Sequence, residues 1–205
     1  MTGPAKPRLA PLAPEAFGDD ARAALAGAFS DAAAARYFAT DGDPIPMPNV
    51  LATLMHHPAL AGPFLAYNNV LLRRPVLEPR LRELMILRVA WRTRARYELA
   101  QHVRIARGLG ITDDEIVAAA SGTDAGWTPL EGAALTATDE LIDHYRVAGD
   151  TWTRLAHALD ERGLVELVFV VGTYTALAMA FNSWGLQLDA DLESLPIPSF
   201  PDSEE

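Results

Sequence analysis

Two acidic residues and one histidine stand on neighbouring segments whose residue pattern is helical: Glu83, Glu98 and His102. At helical spacing, Glu83 has Ile86 and Leu87 as its three- and four-residue neighbours, so its carboxylate belongs to an apolar stripe. A carboxylate buried in this way needs a partner. Carboxylates and an imidazole held together can move protons to and from a substrate. The spacing therefore predicts an acid/base site.

The second of these helices also has an apolar stripe, made of Leu99, His102, Val103, Ala106 and Leu109. The stripe predicts that His102 points into the core. Glu98 precedes His102 by four residues, which is one helical turn. We therefore expect Glu98 to orient the imidazole and to favour its protonated form.

Three motifs follow one another along this part of the chain: residues 83–90 (ELMILRVA), 97–102 (YELAQH) and 108–116 (GLGITDDEI). Their order and spacing resemble the carboxymuconolactone decarboxylase family, which includes the alkylhydroperoxidase D (AhpD) proteins. Weaker likeness extends over roughly residues 45–190. The resemblance implies an all-α, AhpD-like helical bundle of about seven to eight helices. It also implies a homo-oligomer, commonly a trimer or hexamer.

The chain departs from the AhpD proteins at their cysteines. Their proton and electron relay has a glutamate, a Cys-x-x-Cys pair and a histidine four residues after the second cysteine. In that register the glutamate is Glu83 and the histidine is His102, whereas Ala95 and Glu98 occupy the two cysteine positions. The chain contains no cysteine at all. Thiol peroxidase chemistry is thereby excluded, because the attacking thiolate is missing.

The resemblance implies a cofactor-independent carbon–carbon lyase that acts on a small organic acid or lactone. Loss of a carboxylate β to a carbonyl leaves an enolate, which an acid must protonate. His102 would deliver that proton, Glu83 would position it or relay protons, and Glu98 would tune its pKa. The same groups could instead open a lactone, shift a double bond or cyclise an intermediate, as a tailoring enzyme of secondary metabolism does.

Three further polar residues could line a substrate pocket or merely satisfy hydrogen bonds in the core: Tyr97, Tyr174 and Asn182. A non-enzymatic alternative keeps the fold as a ligand-binding or scaffold protein, with Glu83, Glu98 and His102 as a buried structural network. Exposure distinguishes the two hypotheses. A pocket shared by the three side chains would favour an enzyme, and complete burial would favour a structural network.

Composition limits the partners and the compartment. The net charge is −10 and the pI is near 4.9, which argues against nucleic acid and anionic membranes as partners. No group of residues has metal-ligand spacing except Glu98 with His102, so we expect neither metal nor cofactor. The N-terminus lacks an apolar signal region and cysteine is absent, which favours the cytoplasm. The apolar run at residues 164–184 predicts a central core helix rather than a membrane span.

The chain divides into an extended N-terminal arm (1–14), one helical domain (15–189) and an acidic C-terminal tail containing Pro and Ser (190–205). The tail is expected to be extended or disordered. No alternating strand pattern competes with helix. The segments 112–115 and 128–131 predict capping boxes. Asn49 and Asp150 are predicted N-caps, and Gly163 is expected to separate the last two helices.

Overall fold

A computed structural model describes residues 6–29, 36–37, 45–73 and 75–200. All regular structure within these ranges is helical, which confirms the predicted all-α class. Nine α-helices have described bounds, one or two more than expected. They are α1 (Asp19–Phe29), α2 (Asn49–Leu54), α3 (Pro58–Arg73), α4 (Pro79–Arg92), α5 (Arg96–Gly108), α6 (Asp113–Ser121), α7 (Pro129–His144), α8 (Gly149–Ala156) and α9 (Glu161–Trp184).

The chain forms two compact units. The smaller comprises Met1–Arg74 and Trp184–Asp189, and the larger comprises Pro75–Ser183 and Ala190–Glu205. In the smaller unit α1 packs against α3. The N-terminal arm runs beside them, and its Arg8 and Leu9 amides donate to the Trp184 carbonyl at 2.8 and 3.0 Å. Whether residues 15–189 are a single domain stays a prediction.

The larger unit is built around α4. Ten consecutive residues of this helix, 81–90, are buried, because α5, α6 and α7 all pack against it. Their number includes the charged side chains Arg82, Glu83 and Arg88. Arg88 meets Asp139 of α7 in a bidentate pair, with Nε–Oδ1 and Nη2–Oδ2 distances of 2.7 and 2.9 Å. A buried charge is tolerated when it is paired in this way.

Helix α9 is long and apolar enough to cross a bilayer by length and composition, and half of its most apolar stretch is buried inside the protein. The other side is open, since Val165, Phe169 and Met179 are exposed. The prediction that this segment is the central helix was therefore wrong. The central helix is α4, whose sequence is less apolar because it carries four arginines and a glutamate.

Both predicted capping boxes are present. Thr112 begins α6 by accepting the Glu115 amide, and the Glu115 carboxylate accepts the Thr112 amide in return at 2.9 Å. Thr128 and Glu131 do the same at the start of α7. Each pair satisfies amides that a helix N-terminus leaves without partners.

The predicted cap at Asn49 was wrong. Pro48 is the N-cap of α2, and Asn49 is the first residue inside the helix. Its side-chain amide instead donates to the carbonyls of Gln187 and Leu188, both at 3.1 Å. A contact between residues so distant in the chain leaves no local sequence signal.

The boundaries around α8 and α9 also differ from the prediction. Asp150 lies inside α8, whose N-cap is Ala148. Gly163 does not separate the last helices but belongs to α9, where its amide donates to the Asp160 carboxylate at 2.8 Å. Asp160 thus satisfies a free amide in the first turn of α9. The break between α8 and α9 lies at residues 157–160 and not at Gly163.

Two smaller expectations were also wrong. Leu109 does not extend the buried stripe of α5, because that helix ends at Gly108 and Leu109 is 43% exposed. Residues 190–200 of the tail are not a free arm but pack on the larger unit. Leu192 is buried, and the Phe200 ring lies 5.2 Å from that of Trp91.

A buried carboxylate holds the loop that leads into α4. Glu166 of α9 accepts the Val76 amide at 2.9 and 3.0 Å and the Leu77 amide at 2.9 Å. The carboxylate thereby supplies partners to two amides that have no helix or strand to join.

Replacing this carboxylate tests its importance for stability. Glu166→Gln exchanges one acceptor oxygen for a donor that faces amide donors, so we expect a loss of about 1–3 kcal/mol in the free energy of unfolding. Urea denaturation would measure it. The exposed Glu193→Gln serves as the matched control. Equal midpoints for the two variants would contradict the role assigned to Glu166.

Candidate active site

Glu83 of α4 and His102 of α5 form a buried pair. Imidazole Nδ1 lies 2.6 Å from carboxylate Oε2. The Glu83 side chain is fully buried, and that of His102 is 8% exposed. Only residues 93–95 separate the two helices, so the chain folds α5 back against α4. The sequence predicted that Glu83 and His102 lie close together, and the structure brings them into contact.

Arg82 completes the surroundings of the Glu83 carboxylate. Its guanidinium lies 3.1 Å from Oε1, the oxygen that His102 does not contact. Burial raises the pKa of Glu83, but the charges and hydrogen bonds of His102 and Arg82 outweigh burial and hold that pKa below its ordinary value. Glu83 is therefore an anion that can only accept hydrogen bonds.

An ionised Glu83 determines the tautomer of His102. Because the carboxylate accepts, Nδ1 must carry the proton. Nε2 forms no hydrogen bond with the residues that the structure describes. The Tyr174 ring meets the imidazole edge to face at 4.9 Å and 89°. Nε2 is therefore the ring nitrogen that is left for contact with a substrate.

Glu98 does not have the role that its spacing predicted. Its side chain is buried, and neither carboxyl oxygen has a hydrogen-bond partner in the described part of the chain. Burial raises the pKa of Glu98 well above its ordinary value. The raised pKa favours the neutral form of the carboxyl, and the neutral form has no charge with which to favour the protonated imidazole. Glu83, from the other helix, orients His102 instead.

The three predicted substrate-binding residues have different positions. Tyr174 is buried against the His102 ring. Tyr97 is also buried; its hydroxyl accepts from Gln101 at 3.1 Å, and its ring meets Phe181 at 5.4 Å. The third, Asn182, lies away from the pair.

Asn182 is exposed and donates to the carbonyl of Thr93, the residue that caps the end of α4, at 2.7 Å. The Asn182 side chain therefore supplies a partner to a carbonyl at the C-terminus of α4. Arg82 was not predicted as a site residue, because adjacent residues on a helix do not normally face each other. No sequence signal marks it beyond its place beside Glu83.

The exposure criterion gives a divided result. Glu83 and Glu98 are sealed, as in a structural network, whereas His102 retains a small exposed edge. Among the described residues, no group of three or more His, Asp or Glu side chains is arranged to hold a metal ion.

Comparison with known proteins agrees with this architecture. Residues 58–140 match the carboxymuconolactone decarboxylase family. Its fold is the AhpD-like fold. No curated protein is significantly similar to the chain in sequence.

Similar solved structures cover nearly the whole chain. A peroxidase-related protein with an alkylhydroperoxidase AhpD core, from Ralstonia eutropha JMP134, is 18% identical, with a TM-score of 0.73 and coverage of 91% of this chain and 94% of that one. A peroxidase-related protein from Silicibacter sp. TM1040 is 15% identical, with a TM-score of 0.72 and coverage of 95% and 98%. The debrominase Bmp8 with 2,3,4-tribromopyrrole is 16% identical, with a TM-score of 0.68 and coverage of 91% and 94%.

The raised pKa of Glu98 has a consequence for the pH dependence of stability. A carboxyl whose pKa is raised on folding binds its proton more tightly in the folded state, so stability falls as pH rises above the ordinary value of 4.5. Glu98→Gln removes this dependence. Relative to the variant, the wild type should lose up to about 1.4 kcal/mol per pH unit over the affected range.

Urea denaturation from pH 4.5 to 8 would measure the difference between the two proteins. The exposed Glu193→Gln controls for the loss of one carboxyl. A difference between wild type and Glu98→Gln that stays constant with pH would show that Glu98 is not held neutral by the fold.

Proposed function

We propose that this protein is a cofactor-independent acid/base enzyme resembling carboxymuconolactone decarboxylase, in which His102 and Glu83 act on a small organic acid or lactone. The observation that carries the proposal is the 2.6 Å contact between Nδ1 and the buried anion, which leaves Nε2 without a partner among the described residues. The match of residues 58–140 to the carboxymuconolactone decarboxylase family supports it. A catalytic imidazole needs this arrangement, with one nitrogen fixed and the other free.

In the proposed decarboxylation, the bond between the carboxylate carbon and the α-carbon breaks. Its electron pair moves into the carbonyl to give an enolate, and carbon dioxide leaves. Protonated His102 then donates its Nε2 proton to the α-carbon, and water later restores that proton. Glu83 stabilises the imidazolium and holds the plane of the ring. The ionic pair therefore acts without an electron carrier.

The same proton transfers would open a lactone or shift a double bond in a substrate of the same class. Bmp8 holds a small ring compound, tribromopyrrole, on this fold. That complex supports a compact, ring-bearing substrate here. Debromination by a thiol is not available to a chain without cysteine.

A second candidate function is a ligand-binding or scaffold protein that retains the fold. The sealing of Glu83 and Glu98 favours it, because buried polar groups can also serve only to define a unique packing. The two candidates predict different effects of mutation on activity.

Activity toward 4-carboxymuconolactone and a panel of β-keto acids and lactones tests the proposal. His102→Ala and Glu83→Gln should each reduce kcat by about 10²–10⁴-fold, since they remove the proton donor or its anion. The exposed His157→Gln is the matched control and should retain full activity. Circular dichroism would check that each variant is folded.

Turnover by wild type that is unchanged in both site variants would overturn the acid/base assignment and favour the structural network. Absence of turnover across the whole panel, with tight binding of one of its members, would favour the binding protein.

We also propose that the protein is a cytoplasmic homo-oligomer whose copies meet on α9. One face of this helix is apolar and exposed at helical spacing, made of Val165, Val168, Phe169, Gly172, Ala176 and Met179. Continuous apolar stripes of this kind mark sites of association. A second copy would present the same stripe and cover it symmetrically.

Charges on this face should reduce the assembly. We expect the double variant Val165→Glu, Met179→Glu to have a lower mass by light scattering than wild type, because each glutamate would lose its hydration in the interface. Leu60→Glu, which alters an equally exposed apolar residue of α3, should leave the mass unchanged. A wild type that is monomeric at both low and high concentration would contradict the proposal.

A further inference from the structure

The larger unit contains a cavity bounded by α4, α7, α8 and the loop between α6 and α7. Its volume is about 400 Å³, within the range of small-molecule sites, ~300–1,000 Å³. Arg88 lines it, and this residue projects from α4 roughly 140° around the helix from Glu83, five residues earlier. Neither Glu83 nor His102 lines the cavity. It is therefore a separate feature of the fold.

Two glycines keep this cavity open. Gly122 ends α6 with a φ of 82°, and a Cβ there would lie 2.6 Å from the Arg88 guanidinium. Gly132 lies within α7, and a Cβ there would meet only the Cβ of Trp127, at 3.9 Å. Glycine inside a helix is less favourable than alanine by about 1 kcal/mol. Glycine at position 132 lowers the stability of α7, but its lack of a side chain leaves free space in the cavity.

The charged side chains that line the cavity differ in whether they have a partner of opposite charge. Asp139 accepts from both Arg88 and Arg92, so its carboxylate is neutralised within the wall. Asp124 accepts the Gly126 amide of its own loop.

Arg154 differs from the other charged groups of the wall. It donates to the Thr151 hydroxyl at 3.2 Å and pairs with no carboxylate in the described ranges. It is exposed, so its remaining guanidinium donors are open to an incoming group. The wall therefore offers one positive charge without an anionic partner.

Two apolar side chains, Trp127 and Leu135, also line the cavity. Trp127 packs against the hydrophobic core cluster to which Leu135 belongs. The indole Nε1 donates to the Thr123 carbonyl at 3.2 Å, which fixes the ring. A cavity lined by apolar side chains and by one guanidinium without a carboxylate partner in the described ranges suits a ligand with an apolar body and one acidic group.

We propose that this cavity is a binding site for a small carboxylate with an aromatic or apolar body. Arg154 binds the carboxylate, and the body lies in the space above Gly132 against Trp127 and Leu135. The site does not depend on the proposed activity, because it shares no residue with the Glu83–His102 pair.

Phenylacetate is a suitable probe, with neutral phenylacetamide as its matched control. The protein has four tryptophans, so an amide-correlation NMR spectrum contains four indole N–H signals. Trp127→Phe would assign the signal of Trp127. We expect phenylacetate to shift that signal saturably and phenylacetamide to bind at least about tenfold more weakly, since one charged hydrogen bond is lost.

Three variants make the test specific. Arg154→Gln should weaken phenylacetate binding on the order of tenfold, and Gly132→Leu should abolish it by filling the cavity. The exposed Arg162→Gln, which removes the same charge from α9, should bind like wild type. Thermal melting would show whether Gly132→Leu is folded, as a leucine in a helix should be.

Equal shifts with phenylacetamide would overturn the proposal, because Arg154 would then have no part in binding. Undiminished binding by folded Gly132→Leu would place phenylacetate elsewhere. Absence of any shift of the Trp127 signal at millimolar phenylacetate would also overturn it.

Discussion

The burial of an ionised carboxylate at Glu83 is the constraint on which the rest of the larger unit depends. A carboxylate with no exposed surface is tolerated only when it is paired and hydrogen-bonded. His102 supplies a hydrogen bond and Arg82 supplies a positive charge, and each contacts a different oxygen. Because one partner lies on α5, the requirement fixes how that helix faces α4. The same bond determines the tautomer of His102, so packing and chemistry have a single origin.

Buried charges recur along α4 and join it to a second neighbour. Arg88 and Arg92 both bind Asp139 of α7, and Arg92 also binds Asp143. The helix is therefore held by ion pairs on two sides, to α5 through Glu83 and to α7 through its arginines. Removing Arg82 or His102 would leave Glu83 buried with one partner fewer, which is costlier than the pair itself is favourable.

Local sequence signals predicted two helix starts correctly. The capping boxes that begin α6 and α7 are complete within four residues, so no other part of the chain needed to be known. The contact of Glu83 with His102 was predicted from apolar stripes and from a family register. Contacts between distant segments, such as that of Asn49 with Gln187, had no such signal.

Hydropathy was misleading for the central helix, for a physical reason. The most apolar helix is α9, yet only half of its most apolar stretch is buried, whereas α4 is buried over residues 81–90 although it carries four arginines and a glutamate. Hydropathy measures the cost of exposing a side chain and not the partners available to a buried one. A sequence cannot show that Asp139 will lie beside Arg88. Helix α4 is central because its charges are paired.

Glu83 and Glu98 are both buried, yet their different partners move their pKa values in opposite directions. Glu83 contacts His102 and the guanidinium of Arg82 and has a lowered pKa, whereas Glu98 has no hydrogen-bond partner in the described structure and has a raised pKa. Acid/base sites are often marked by carboxyls whose surroundings move their pKa values apart. In a network that only holds the fold, an apolar side chain of similar size would be more stable at position 98 than an acid without a hydrogen-bond partner in the described structure. An acid one helical turn before His102 is consistent with a site that handles protons.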